Sequence, residues 1–248
     1  MPVPTLTRAG HVATIALQRP QQANRLEPDD LKALMVHLAA VDADPALSVL
    51  LLRAQGRHFC SGFDIGRVGA DGVRAFEALA DRIEAARPVT IAVIQGGVHG
   101  GATDLALACD FRLGSTAAEL SMPAARLGLH FYRGGLERYV TRLGVDVAKR
   151  LFLTAERIDA AEMKAIGFLT HLVEPGELDV RAGALAAGLG ELAPLPLRGM
   201  KQHLNAIARG TLDAQALARD IERSLHSRDL QEGLAAFAEK RAPRFRGE

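Results

Sequence analysis

Two short stretches put glycine-rich backbone next to a carboxylate in a way that suits carbonyl chemistry. They are Cys60-Ser61-Gly62-Phe63-Asp64 and Gly100-Gly101-Ala102-Thr103-Asp104. Each reads as a turn between a buried strand and a helix. Glycine lets the backbone take conformations barred to other residues and lets a ligand approach the main chain closely. A helix start also leaves N–H groups unpaired and pointing outward. Two such groups, one from each turn, could converge on a single carbonyl oxygen. That is an oxyanion hole, useful where negative charge grows on oxygen during a reaction. Asp104 is the candidate base beside it. Each turn alone also has a plain structural reading. Glycine after a strand is ordinary turn chemistry, and an Asp in the first turn of a helix satisfies its dipole. Neither turn is a phosphate loop: GxxxxGKS/T is absent, and the glycine spacing does not fit GxGxxG after the first strand.

The elements that must hold these turns follow from periodicity. Val12 to Leu17 reads as a strand stopped by Pro20. Pro28-Asp29-Asp30 starts a helix carried by Leu31, Leu34, Met35, Leu38 and Val41. The continuous apolar runs Val49–Leu52 and Val89–Ile94 predict strands buried on both faces. Phe76, Leu79 and Ile83 mark a second helix, ended by Pro88. Phe111 to Leu113 and Glu119 to Ser121 read as short strands. From Leu136 onward the pattern is helical apart from Leu169–Val173. This order is α/β with crossover connections. The tail carries Leu204, Ile207, Leu217, Ile221, Leu225, Leu230, Leu234 and Phe237, which is too apolar for a region standing alone.

Bulk properties narrow the classes. Of 248 residues 48% are hydrophobic, enough for a substantial core, and with 4% aromatics and no Trp that core is aliphatic. A net charge of +1 with mixed signs argues against a nucleic-acid surface. No apolar run approaches a membrane span, and the first residues lack the charged-then-apolar pattern of a secretory leader. Cys60 and Cys109 sit in apolar or glycine-rich surroundings, which reads as reduced thiols and a cytoplasmic protein. The eight histidines lack metal-ligand spacing, so no metal is expected.

The motifs in order resemble the enoyl-CoA hydratase/isomerase, or crotonase, superfamily over nearly the whole chain. The carrying residues are Arg19-Pro20 with Asn24 and Leu26, then HFCSGFDI, QGGVHGGATDLALACDFRL, LSMPAARLGL, GGLERYVTRLG, LTAERIDAAEMKAIGFLTHLV and FAEKRAPRFRG. The resemblance implies an α/β core built as a spiral of ββα units over residues 1–192 and a C-terminal helical trimerisation region over 193–248. It implies a homotrimer or hexamer and an acyl-CoA substrate, with coenzyme A as part of that substrate and no other cofactor. It places the oxyanion donors at the N–H groups of Phe63 and Gly101. The segment Ser61, Gly62, Asp64 and Ile65 would meet the adenine. Arg25 and Arg67 are candidates for the phosphates. Phe237 and Lys240 match a terminal pattern in which a neighbouring subunit closes the site.

Hydratases of this superfamily activate water between two glutamates. The first falls on Asp104, shortened by one methylene, about 1.5 Å. The second falls on Ala124, which cannot titrate. The loop His130-Phe131-Tyr132-Arg133 offers replacements: His130 for proton transfer, Tyr132 as a hydrogen-bond donor, and Arg133 to hold an anionic acyl group or to pair with Asp104. His99 reads as a satisfied, partly buried histidine. The one-acid site suits double-bond isomerisation or other enolate chemistry better than hydration. The alternatives are a non-catalytic acyl-CoA-binding homologue and a CoA-thioester hydrolase or decarboxylase.

Overall fold

A computed structural model describes residues 3–64, 66 and 69–248. The chain forms two compact units, Met1–Gly183 and Ala184–Glu248.

The first unit is built on a six-stranded sheet. Its strands are β1 (Thr5–Ala9), β2 (Val12–Leu17), β3 (Val49–Ala54), β4 (Val89–Ile94), β6 (Phe111–Ser115) and β9 (His171–Val173), hydrogen-bonded in the order β1-β2-β3-β4-β6-β9. β1 runs antiparallel to β2, and the remaining pairs are parallel. Every residue of β4 is buried, as its unbroken apolar run requires of a strand covered on both faces. β2 alternates buried and half-buried positions. A second, smaller sheet joins β5 (Val98–His99), β7 (Glu119–Ser121) and β8 (Arg157–Asp159) in the order β5-β7-β8.

Helices α1 (Pro28–Ala43), α2 (Ala70–Glu84), α3 (Gly101–Ala108), α4 (Arg133–Leu143), α5 (Val145–Thr154) and α6 (Ala160–Ala165) belong to this unit, and α7 (Leu178–Gly190) crosses its boundary. α1 begins with Pro28 and a capping box in which the Asp30 carboxylate accepts the Glu27 N–H at 2.8 Å. α3 is the central helix. Residues Ala102 to Ala108 are all buried, the polar Thr103 and Asp104 included.

The second unit holds α8 (Pro194–Ala208), α9 (Ala214–Leu225) and α10 (Arg228–Glu239). Asp213 caps α9 and Ser227 caps α10 through their side chains. Leu204, Ile207, Ile221, Leu225, Leu234 and Phe237 are exposed in the single chain, Phe237 at 87%. Among the described residues no helix is long and apolar enough to cross a membrane.

Candidate active site

The second glycine turn lies between β5 and α3. Gly100 adopts φ 55°, a conformation that favours glycine, and its carbonyl accepts the Thr103 N–H at 3.1 Å and the Thr103 hydroxyl at 2.6 Å. The peptide joining Gly100 to Gly101 therefore points its carbonyl into the helix. Its N–H, which belongs to Gly101, points out of the helix start. The Phe76 ring presses on this turn: a Cβ at Gly101 would lie 2.8 Å from two ring carbons.

In the first turn Phe63 forms an isolated parallel bridge with Leu26, and the first α-helix after it among the described residues is α2, from Ala70. Leu26 N–H donates to the Gly62 carbonyl at 2.8 Å, and Asp64 N–H donates to the Leu26 carbonyl at 2.9 Å. The peptide joining Gly62 to Phe63 thus aims its oxygen at Leu26 and its N–H the opposite way. Among the described residues, neither the Phe63 nor the Gly101 N–H donates to a protein acceptor. The two turns abut, because a Cβ at Gly62 (φ 92°) would lie 3.0 Å from the Gly101 nitrogen.

Asn24 anchors the first turn. Its side-chain amide donates to the carbonyls of Gln55 and His58, both at 2.8 Å, and its oxygen accepts the Arg19 N–H at 2.9 Å. Cys60 beside it is sealed from solvent, and burial pushes its thiol up to about 12.

Both turns border a cavity of about 100 Å³ lined mainly by apolar side chains, Phe63, Phe76, Met122, Ala124, Leu129 and Phe131 among them. Tyr132 also lines it, whereas Asp104 does not. Asp104 is fully buried behind the tyrosine, and both of its oxygens are engaged. The Tyr132 hydroxyl donates to Oδ2 at 2.6 Å. Arg138 donates from Nε to Oδ1 at 2.7 Å and from Nη2 to Oδ2 at 2.6 Å, a forked pair between two groups without solvent exposure.

The arginine reaches this position through a ladder between two helices. On α4, Gly134, Arg138 and Arg142 follow one another at four-residue spacing and so share a face. On α2, Glu77, Asp81 and Glu84 form the matching acidic edge. Gly134 N–H meets Glu77 at 2.9 Å, Arg138 meets Asp81 at 2.6 Å, and Arg142 meets Glu84 at 3.1 Å. Burial opposes the Arg138 charge, but the bonds and charge of Asp104, with Asp81 behind, outweigh it and raise its pKa. Tyr132 is held well above the ordinary tyrosine value, first by burial and then by the negative charge of Asp104 and its bond to it. Tyr139, buried next to Arg138, is raised mainly by burial and donates to the Thr103 hydroxyl at 2.5 Å.

The remaining expected residues fall at different distances from this centre. Arg133 is a correction. Its side chain is 89% exposed and pairs with Glu137 at 2.6 Å, so the partner of Asp104 is Arg138. His130 is exposed at the rim of the cavity, its Nδ1 2.7 Å from the Phe131 carbonyl. Ala124 is buried and lines the cavity, with no acid in its place. Ser61 lines it as well, and its N–H donates to the Ala23 carbonyl at 2.9 Å. Arg25 forms ion pairs with Glu27 at 3.3 Å and Asp64 at 3.4 Å. Ile65 and Arg67 lie outside the described residues. Phe237 and Lys240 belong to the second unit. His99 is partly buried as expected, with Nδ1 2.9 Å from the Ser121 hydroxyl, and burial lowers its pKa. Arg138 is the residue that sequence reasoning missed. Its signal was an arginine on the helix face that also carries Gly134 and Gly135, where close packing leaves a cation no route to water.

Comparison with known proteins gives the family and the fold. The enoyl-CoA hydratase/isomerase family profile matches residues 7–248. The chain belongs to the enoyl-CoA hydratase/isomerase family. Among its relatives are a putative enoyl-CoA hydratase/isomerase of Bacillus subtilis, 32% identical over 96% of this chain and 95% of that one, and the (E)-benzylidenesuccinyl-CoA hydratase of Thauera aromatica, 32% identical with both chains covered in full. The crystal structure of an enoyl-CoA hydratase from Bacillus anthracis superposes with a TM-score of 0.92 at 29% identity, covering 99% of each chain. The fold is therefore the crotonase fold, and the protein is an enzyme of this hydratase/isomerase family.

Proposed function

We propose that this family member binds an acyl-CoA thioester, holds its enolate oxygen between the Phe63 and Gly101 N–H groups, and moves a proton between carbons through Tyr132. The observation that carries the reading is the 2.6 Å hydrogen bond from Tyr132 to Asp104 at the cavity wall, with Asp104 itself shut away. A water-activating pair of carboxylates is missing at the cavity, since one position is Ala124 and the other is bound by Arg138.

Double-bond isomerisation needs only one proton carrier. The substrate Cα–H passes its proton to the Tyr132 oxygen as the tyrosine passes its own proton to Asp104. The electron pair left at Cα delocalises into the thioester, and the two N–H groups stabilise the oxygen charge. The reverse relay returns a proton to the γ-carbon. No atom is gained or lost, and the double bond has moved one position. Arg138 keeps the Asp104 carboxylate fixed beneath the phenol throughout.

The same reading gives coenzyme A the backbone of Ser61, Gly62, Asp64 and Ile65, with Arg25 and Arg67 toward its phosphates. It assigns the exposed apolar helices and Phe237 and Lys240 to a homotrimer or hexamer in the cytoplasm. A substrate panel tests it. The enzyme should convert a 3-enoyl-CoA to the conjugated 2-enoyl-CoA, seen as growth of the thioester chromophore. Turnover of crotonyl-CoA to its hydrated product as the faster reaction, or release of free CoA or carbon dioxide, would overturn it.

A further inference from the structure

The acyl group is the part of the substrate that the cavity constrains. Accepting the proposal that this cavity receives the acyl end of a CoA thioester, we infer that the enzyme is built for short, uncharged acyl groups of about four carbons, with Phe131 as the residue that ends the chain. Three observations lead there.

The first is volume. A dry apolar cavity of ~150 Å³ holds benzene, six carbons. About 100 Å³ in proportion holds four. The second is the stiffness of the wall that carries Phe131. Phe131 stacks on Tyr132 with ring centroids 4.3 Å apart and 23° between planes. Phe152 backs it at 5.1 Å and Tyr139 at 6.4 Å. Behind the pair sits Gly135, where a Cβ would lie 2.9 Å from the Tyr132 ring. A wall packed this densely does not open for extra methylenes without strain. The third is charge. Among the described residues the cavity lining has no Lys, Arg, Asp or Glu. Arg138 is spent on Asp104, Asp81 and Glu84, and Arg133 lies in solvent against Glu137. The imidazole in the lining, His130, is exposed at the rim with Nδ1 against the Phe131 carbonyl, so an acyl chain carrying a second carboxylate into the apolar interior would be desolvated without a counter-ion.

Binding of unreactive thioesters separates this inference from the proposed chemistry, because no proton transfer is needed. Dissociation constants of CoA, acetyl-CoA, butyryl-CoA, octanoyl-CoA and succinyl-CoA are measured by calorimetry on the full chain. Butyryl-CoA should bind at least about 10-fold more tightly than octanoyl-CoA, the effect of overfilling a packed site, and succinyl-CoA should bind no better than CoA itself. Phe131→Ala should narrow or invert the butyryl-to-octanoyl ratio. Ala124→Leu, which fills the cavity from another of its lining residues, should remove the advantage of butyryl-CoA while acetyl-CoA still binds. Octanoyl-CoA bound as tightly as butyryl-CoA by the wild type overturns the size limit while leaving the acyl-CoA reading intact. Tight succinyl-CoA binding overturns the charge limit. If no acyl-CoA binds better than CoA, both the inference and the reading beneath it fail.

Discussion

Removing Arg138 should cost the enzyme more than removing any other single charge in the first unit. In Arg138→Met the side chain keeps the unbranched stem out to the position of Nε but loses both bonds to Asp104, at 2.7 and 2.6 Å, and the one to Asp81 at 2.6 Å. Asp104 has no solvent exposure, so its charge would be left without an opposite charge. Breaking a buried ion pair from one side costs ~3–5 kcal/mol. Two hydrogen bonds to a charged group, at ~1.5–3 kcal/mol each, span the same range. At ~2–4 °C per kcal/mol for a chain of this size, a loss near 4 kcal/mol lowers the melting temperature by about 8–16 °C. Thermal unfolding at fixed protein concentration measures it. The double variant Arg138→Met with Asp104→Asn should recover a large part of the loss, because the stranded charge is gone. A single-variant cost below about 1 kcal/mol, the range of surface pairs, would refute the buried fork as described.

Three further outcomes follow from the same geometry. Both tyrosines of the chain, Tyr132 and Tyr139, have raised pKa values, so the folded protein should show no tyrosinate absorbance until the pH is well above 10, and the band should appear on unfolding. The stability that these neutral phenols contribute is present below pH ~10 and is lost as the pH rises through their folded values, so alkaline titration should unfold the protein as tyrosinate appears. Ala124→Glu alone should not restore fast hydration of crotonyl-CoA, because Arg138 and Tyr132 still occupy Asp104; a rise of more than about 10-fold in hydrated product would contradict that. Light scattering should give the mass of a trimer or hexamer, since Leu204, Ile207, Leu234 and Phe237 are too exposed to remain uncovered, and a clean monomer at micromolar concentration would exclude it.

Much of the frame was legible in the sequence. Val12–Leu17 and Val89–Ile94 are strands with the bounds their patterns predict, because each is long enough or apolar enough to show its period, and the short strand Glu119–Ser121 also has its expected bounds. β8 was not legible. It has three residues of which only Ile158 is buried, and it exists because Leu120 of β7 pairs with it. β1 and β5 escaped for similar reasons: β1 has no buried residue, and β5 has two residues in all. Within the site, the glycines marked both turns, but what frees the Phe63 N–H is Leu26, a residue 37 positions earlier. The missing partner of Asp104 lay 34 positions later in the chain. Local pattern shows that Arg138 is on a helix, but which acid it meets depends on how α2, α3 and α4 pack.

The central claim is that the Tyr132 hydroxyl, held over Asp104, carries the proton. Exchange of the α-hydrogens of a saturated acyl-CoA with deuterated solvent, followed by mass spectrometry, isolates that step from any later chemistry. Tyr132→Phe keeps the ring that stacks on Phe131 and removes only the oxygen. The account predicts exchange at least ~100-fold slower than wild type, the low end for a general acid–base group, with acyl-CoA affinity close to wild type and a melting temperature lowered by about 3–12 °C for the one bond lost to a buried charge. Exchange at the wild-type rate in Tyr132→Phe, with affinity unchanged, would contradict it.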